Sequence, residues 1–275
     1  MQSELESLGW NIALDSPLHD LDYSILTSKD VYNNCKRPKL VSAATKKIFD
    51  SVATATANSR FPITIGGDHS IAIGTVGGFF SNHPDACLLW IDAHADINTP
   101  LTTDSGNLHG CPVAFLMGIH SSSYPPEMLW IPPVLKPDRI AYIGLRDVDK
   151  GEKKIIRELG ITAYSMYHVD KYGINAVVQM ALQKINPNND RRIHLSYDVD
   201  AIDPLFVPAT GTPVSGGLTL REGLFIAEAV AETGNLAALD IVEVNPSLAR
   251  DRTNVLDTVG AGLAIAKCCF GDTLI

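Results

Sequence analysis

None of the five cysteines in this 275-residue chain (Cys35, Cys87, Cys111, Cys268 and Cys269) falls in a CxxC pair, and their number is odd. That argues against a disulfide framework or a thiolate zinc site, and reads as reduced thiols in a reducing compartment. An uncharged apolar run long enough to cross a bilayer is also absent, and the opening MQSELESLGW has neither the basic start nor the apolar stretch of a secretory signal. Cytoplasm is the expected location, with no membrane partner. A basic face is missing too. The formal net charge is −9, which argues against nucleic acid, because gripping a polyanion takes a cationic surface. No repeat, low-complexity tract or Ser/Gly-rich linker divides the chain, so residues 1–275 read as one domain. The five prolines between Tyr124 and Pro137 are mixed with apolar residues and read as a shaped surface loop.

With 45% hydrophobic residues, the chain can bury a large core. Short apolar runs at Pro62–Ile65, Cys87–Ile91, Arg139–Gly144, Ile161–Tyr164, Ile193–Tyr197 and Leu236–Val242 read as strands. Helical patterns lie between them, including Leu40–Ala55, Gly151–Leu159, Ile174–Ile185 and Leu220–Glu232. Strands that are almost continuously apolar are buried on both faces, which predicts an α/β fold with a mainly parallel sheet covered by helices on each side. Most of these strands end in a burst of acid, His or Asn: GGDHS, DAHAD, RDVD, DVDAIDP and EVNP. Sites in open α/β sheets lie at the carboxyl ends of the strands, so the bursts are expected to converge on one crevice.

In DAHAD, Asp92, His94 and Asp96 alternate, and on an extended segment alternating side chains share a face. Asp198 and Asp200 repeat the spacing, and His69 adds a sixth donor. A single catalytic zinc usually takes three protein ligands and a water, so six donors suggest two ions, about 3.5–4 Å apart, sharing carboxylates. Without cations, two such acidic arrays after buried strands would crowd charge at severe cost. Carboxylates favour Mg²⁺, Ca²⁺ or Mn²⁺ and imidazoles favour transition metals; Mn²⁺ satisfies both, while Co²⁺, Ni²⁺ or Zn²⁺ are alternatives.

Taken together, GGDHS (66–70), DAHADINTP (92–100), SGNLHG (105–110), SYDVDAIDP (196–204) and DIVEVNPSL (240–248) resemble the arginase family of ureohydrolases. GLRDVD (144–149) and TGTPV (210–214) are similar to arginases in particular. The resemblance implies a three-layer αβα fold of the arginase/deacetylase type and hydrolysis of L-arginine to L-ornithine and urea by a hydroxide bridging two Mn²⁺ ions. It implies one ion on His69, Asp92, Asp96 and Asp198, and the other on His94, Asp92, Asp198 and Asp200. Glu243 would pair with the substrate guanidinium, with Thr212 steadying that carboxylate. His109 would shuttle protons, and Asp96 would deliver one to the leaving amine. Asn98, Ser105 and Asn107 would read the α-carboxylate and Asp149 the α-amino group, which separates arginine from agmatine. Asp104 is expected to face solvent.

The resemblance also implies a homotrimer or homohexamer. Arginases begin one βα unit before the region matched by residue 1, with a strand that lies inside the sheet, so two exposed edges and an uncovered gap are expected beside residues 62–65, and a short C-terminal tail. Two alternatives follow: a truncated inactive or regulatory ureohydrolase subunit, or an agmatinase-like guanidino hydrolase.

Overall fold

Six of the apolar runs pair, all in parallel, into one twisted sheet: Ile63–Ile65 (β1), Cys87–Ile91 (β2), Ile140–Leu145 (β3), Thr162–Ser165 (β4), Ile193–Asp198 (β5) and Leu236–Val242 (β6), in the spatial order β1-β6-β5-β2-β3-β4. The computed structural model describes residues 1–22, 24 and 30–272. β2, β3 and β5 are buried along their whole length, as strands covered on both faces must be. In β2, Cys87, Leu89 and Ile91 face one core while Leu88 and Trp90 face the other. Fully burying each such aliphatic side chain contributes about 1.5–3 kcal/mol.

The long helices are Pro38–Ala57 (α1), Ala72–Asn82 (α2), Lys150–Leu159 (α3), Ile174–Ile185 (α4), Leu220–Glu232 (α5) and Arg252–Cys269 (α6). One face of the sheet packs on α1, α2, α3 and the short helix Pro112–Met117; the other packs on α4, α5 and α6, which completes the three layers. Glycine sets the α1–α2 approach. A Cβ on Gly74 would lie 2.5 Å from the Thr45 carbonyl oxygen, and one on Gly78 2.5 Å from that of Phe49. α3 starts on a capping box between Asp149 and Glu152, and α5 on one between Thr219 and Glu222.

Chain order places the site. From β2 the chain runs outward to β3 and β4, then β5 returns to the opposite side of β2. The reversal leaves a crevice at the carboxyl ends of β2 and β5, which are aligned so that Ile91 pairs with Tyr197. Among the described residues β1 has a strand on one side only, and Ile65 is 54% exposed.

Residues 124–137 are less superficial than a surface loop. Tyr124, Met128, Ile131 and Leu135 are buried, because the prolines shape tight turns that aim the intervening apolar side chains inward. All five cysteines are free and buried. No helix among the described residues is long and apolar enough to cross a membrane.

Candidate metal centre

The chain turns sharply where β2 and β5 end, and it does so twice in the same way. The backbone N–H of His94 donates to Asp92 Oδ1 at 2.7 Å, and that of Asp200 donates to Asp198 Oδ1 at 2.7 Å. Each is an aspartate accepting from the residue two positions on, the side-chain mimic of a backbone turn. The alternating residues therefore do not share a face by extension, as their spacing suggested. β2 stops at Ile91, Val199–Ala201 forms a 3₁₀ turn, and Asp96 sits at φ 49°. Turn geometry, stabilised by these aspartates, gathers the side chains instead.

His69 Nδ1 lies 3.0 Å from Asp92 Oδ2 and 3.3 Å from both Asp96 Oδ2 and Asp198 Oδ2. His94 Nδ1 lies 3.3 Å from Asp92 Oδ1 and 3.2 Å from Asp200 Oδ2. Two groups that can hold a cation result, His69–Asp92–Asp96 and Asp92–His94–Asp200, and they share Asp92. Asp198 adjoins the first.

Protonation reflects the crowding. Burial opposes charge on His69, yet Asp198, Asp92 and Asp96 overcome it and raise its pKa well above the ordinary value. His94 is likewise pushed up to about 12, against its burial, by Asp200 and Asp92. Burial and the Asp92 charge lift Asp96 to about 6, while burial, Asp200 and Asp92 drive Asp198 well above the carboxylate range. Asp92 moves the other way, because His69 and His94 outweigh its burial. In the protein alone, protons balance the carboxylate charge. Divalent cations suit the same place: the donors are four carboxylates and two imidazoles, a set that hard and borderline metals accept.

Glu243 closes the crevice from the end of β6. It is 8% exposed, its Oε1 accepts the His69 backbone N–H at 3.0 Å, and its own N–H donates to the Gly67 carbonyl at 2.9 Å. Its backbone lies at φ 63°, a left-handed conformation unfavourable for glutamate. Such strain costs of order 1–3 kcal/mol and persists only where the surroundings impose it. His109 Nδ1 is 3.6 Å from Glu243 Oε1, and this carboxylate, against partial burial, raises the imidazole pKa.

Comparison with known proteins agrees with this geometry. The arginase family model matches residues 2–269. The arginase of Eremothecium gossypii is 58% identical over 100% of this chain and 69% of its own length, and that of Saccharomyces cerevisiae is 53% identical over 100% and 87%. The crystal structure of a cold-adapted arginase from the psychrophilic yeast Glaciozyma antarctica superposes with a TM-score of 0.81 at 47% identity, covering 99% of this chain and 87% of that one. The chain belongs to the arginase family. It is an enzyme fold of the ureohydrolase kind, and its acid and histidine cluster marks it as metal-dependent.

In this arginase-family chain the expected substrate residues lie on loops. Asn98 is buried and donates to Asp149 Oδ2 at 2.9 Å, while Ser105, Asn107 and Asp149 are exposed, as is Asp104. Thr212 departs from expectation. Its hydroxyl donates to Asp200 Oδ2 at 3.1 Å and so steadies a candidate metal ligand. Glu243 Oε2 instead faces Gly211, where an added Cβ would lie 3.2 Å away. The 210–214 loop passes Glu243 one residue earlier than the motif alone indicated.

Several contributors were not singled out from the sequence. Trp90 donates from Nε1 to Asp92 Oδ2 at 2.8 Å and stacks on His69 with ring centroids 3.9 Å apart. Ser196 Oγ lies 2.9 Å from His69 Nε2. Both precede an aspartate by two positions, so strand alternation was the available signal. Arg146 donates to the carbonyls of Asp200 (2.7 Å) and Ala201 (3.1 Å), tying down the turn after β5. Glu152, buried, accepts the N–H groups of Ile97 (3.0 Å) and Asp149 (2.9 Å) and joins the two loops that carry Asn98 and Asp149.

Proposed function

We propose that this chain, read as one ureohydrolase domain over residues 1–275, hydrolyses L-arginine to L-ornithine and urea with two Mn²⁺ ions. The observation that carries the reading is the juxtaposition of Glu243 with the paired acid and imidazole groups. Asp92, Asp96, Asp198 and Asp200 match two divalent cations charge for charge, which leaves Glu243 as the uncompensated acid for a cationic guanidinium. His69, Asp92, Asp96 and Asp198 would hold one ion, and His94, Asp92, Asp198 and Asp200 the other. When bound, the ions lower the pKa of water toward neutrality and so supply a nucleophile for the guanidinium carbon.

The remaining work falls to the protein. Glu243, anchored by the His69 N–H, presents Oε2 to the guanidinium and orients the flat group by a charge-assisted fork. His109, beside that carboxylate, exchanges protons between site and solvent through an imidazole suited to the task by its pKa range. Asp96, grouped with His69 and Asp92, would relay a proton to the departing amine. Asn98, Ser105 and Asn107 take the α-carboxylate and Asp149 the α-amino group.

The test is urea release by the purified chain with Mn²⁺, compared between L-arginine and agmatine. Release from arginine in strong preference is expected. No release by a folded, metal-loaded chain, or preference for agmatine, overturns the proposal. The homotrimer or homohexamer and the cytoplasmic location belong to the same reading; light scattering of the metal-loaded chain checks the first.

A further inference from the structure

Behind His69 lies a second polar cluster, away from the crevice, that no step above uses. Asp240, from β6, is 1% exposed, and its Oδ2 gathers three partners: the Thr75 hydroxyl at 2.7 Å, His194 Nε2 at 2.8 Å and the Ser196 hydroxyl at 3.3 Å. Thr75, His194 and Ser196 are each 0–1% exposed and come from α2 and β5. Ser196 and Asp240 are register partners across β5 and β6. A carboxylate so deep is expensive to desolvate, and a buried charge is a poor way merely to join α2 to the sheet. Among the described residues His194 Nδ1, moreover, has no partner, so the cluster is not arranged to satisfy every member.

The direction of the hydrogen bonds supplies a purpose. Ser196 has one hydroxyl proton, and with the Asp240 carboxylate in reach the proton goes there. Its oxygen then presents a lone pair to His69 Nε2, 2.9 Å away, and accepts the N–H from that nitrogen. The proton of a neutral His69 is thereby fixed on Nε2. Nδ1, which faces Asp92, Asp96 and Asp198, keeps the free lone pair that a metal requires.

We propose that Asp240 is a positioning residue for the metal centre: through Ser196 it sets the tautomer and ring orientation of His69, and Thr75 and His194 hold it in place for that task. This rests on the reading of His69 as a metal ligand.

Mn²⁺ titration of the purified chain by calorimetry, at a temperature where every variant is folded, tests it. Asp240→Asn and Ser196→Ala are each expected to raise the dissociation constant of one Mn²⁺ by about 10–100-fold, the size seen when a metal-bound histidine loses its outer partner. The double variant is expected to bind no more weakly than the worse single one, because both cut the same chain. Unchanged Mn²⁺ affinity in Asp240→Asn with a lowered melting temperature overturns the inference and leaves a structural role. Losses that add in the double variant overturn it too. If Asp240→Asn does not fold, Thr75→Val takes its place: it removes one donor from Asp240 without touching His69, and a severalfold weaker Mn²⁺ site is expected, with unchanged affinity overturning the inference. His69→Ala separates the two claims. If it binds Mn²⁺ as tightly as the parent, the ligand reading fails and this inference with it; if it weakens binding while Asp240→Asn does not, this inference alone fails.

Discussion

Asp92, Asp198 and Asp200 are at most 2% exposed and stand at or just beyond the ends of paired strands, whereas Ser105, Asn107, Asp149 and Thr212 stand exposed on loops. The first group is overdetermined. Asp92 alone receives the Trp90 indole N–H and the His94 backbone N–H, and lies against both imidazoles. The second group is held lightly, by contacts such as Asn98 to Asp149 and the Ser105 hydroxyl to the Asn107 N–H. The groups proposed to hold metal sit at the strand ends, and those proposed to read the substrate sit where loops can vary, apart from Thr212, which steadies Asp200.

The largest break in this comparison is expected from Asp198→Ala. Removing a carboxylate proposed to serve both ions should lower metal stoichiometry together with rate, and kcat/KM should fall by more than the roughly 10–100-fold typical of an outer-sphere change. Metal analysis after gel filtration checks it; two tightly held ions in that variant would show the bridge to be misassigned. Glu243→Gln should do the opposite with metal. Both ions stay, while kcat/KM for arginine falls about 100-fold, since a buried charge pair is lost.

The comparison also predicts a pH effect confined to the buried group. In the metal-free chain His69 and His94 carry protons that metal must displace, with His94 raised to about 12. Folded pKa values above the unfolded ones stabilise the metal-free chain at low pH, and that contribution is lost as pH rises: for Asp96 between about 4 and its raised value of about 6, and for His94 from about 6.5 toward 12. Metal binding releases protons, so it strengthens over the same span. The melting-temperature gap between Mn²⁺-loaded and metal-free chains is therefore expected to widen from pH 5 to pH 8, by differential scanning calorimetry. A gap that narrows would mean that metal does not displace the histidine protons.

The buried half of the molecule was also the half most legible from sequence, for the same reason. Cys87–Ile91, Ile174–Ile185, Leu220–Glu232 and Leu236–Val242 were read to the residue, because burial on known faces forces a period on the side chains. α2 was not singled out, since Gly74, Gly77 and Gly78 weaken its helical signal while serving its contact with α1. Composition and order gave the acidic clusters, but not how they meet. The left-handed Asp96 and Glu243, and the switch of Thr212 from Glu243 to Asp200, depend on neighbours distant in sequence. Strand alternation marks Ser196 and Trp90 as two positions before an aspartate, but their contacts with His69 depend on a residue distant in sequence.

On the exposed rim the effects should be smaller and should fall on substrate choice. Ser105→Ala with Asn107→Ala is expected to raise KM for arginine about 10-fold with kcat and Mn²⁺ affinity unchanged, while agmatine, which has no carboxylate, is little affected. A fall in kcat instead would mean that the rim is coupled to the buried centre after all.

The smallest expected effect belongs to Asp104. It is exposed and follows Thr103, whose carbonyl is held by Asn34 at 2.6 Å, so the backbone is fixed while the carboxylate meets water. A charge there acts on an arginine carboxylate only through solvent, where a surface pair is worth about 0–1 kcal/mol and is screened by salt. Asp104→Asn should then lower KM by less than about fivefold at low ionic strength, and the difference should vanish in high salt. A larger change that survives salt would place Asp104 inside the substrate pocket, and the division between a fixed buried centre and a lightly held rim would have to be redrawn at that residue.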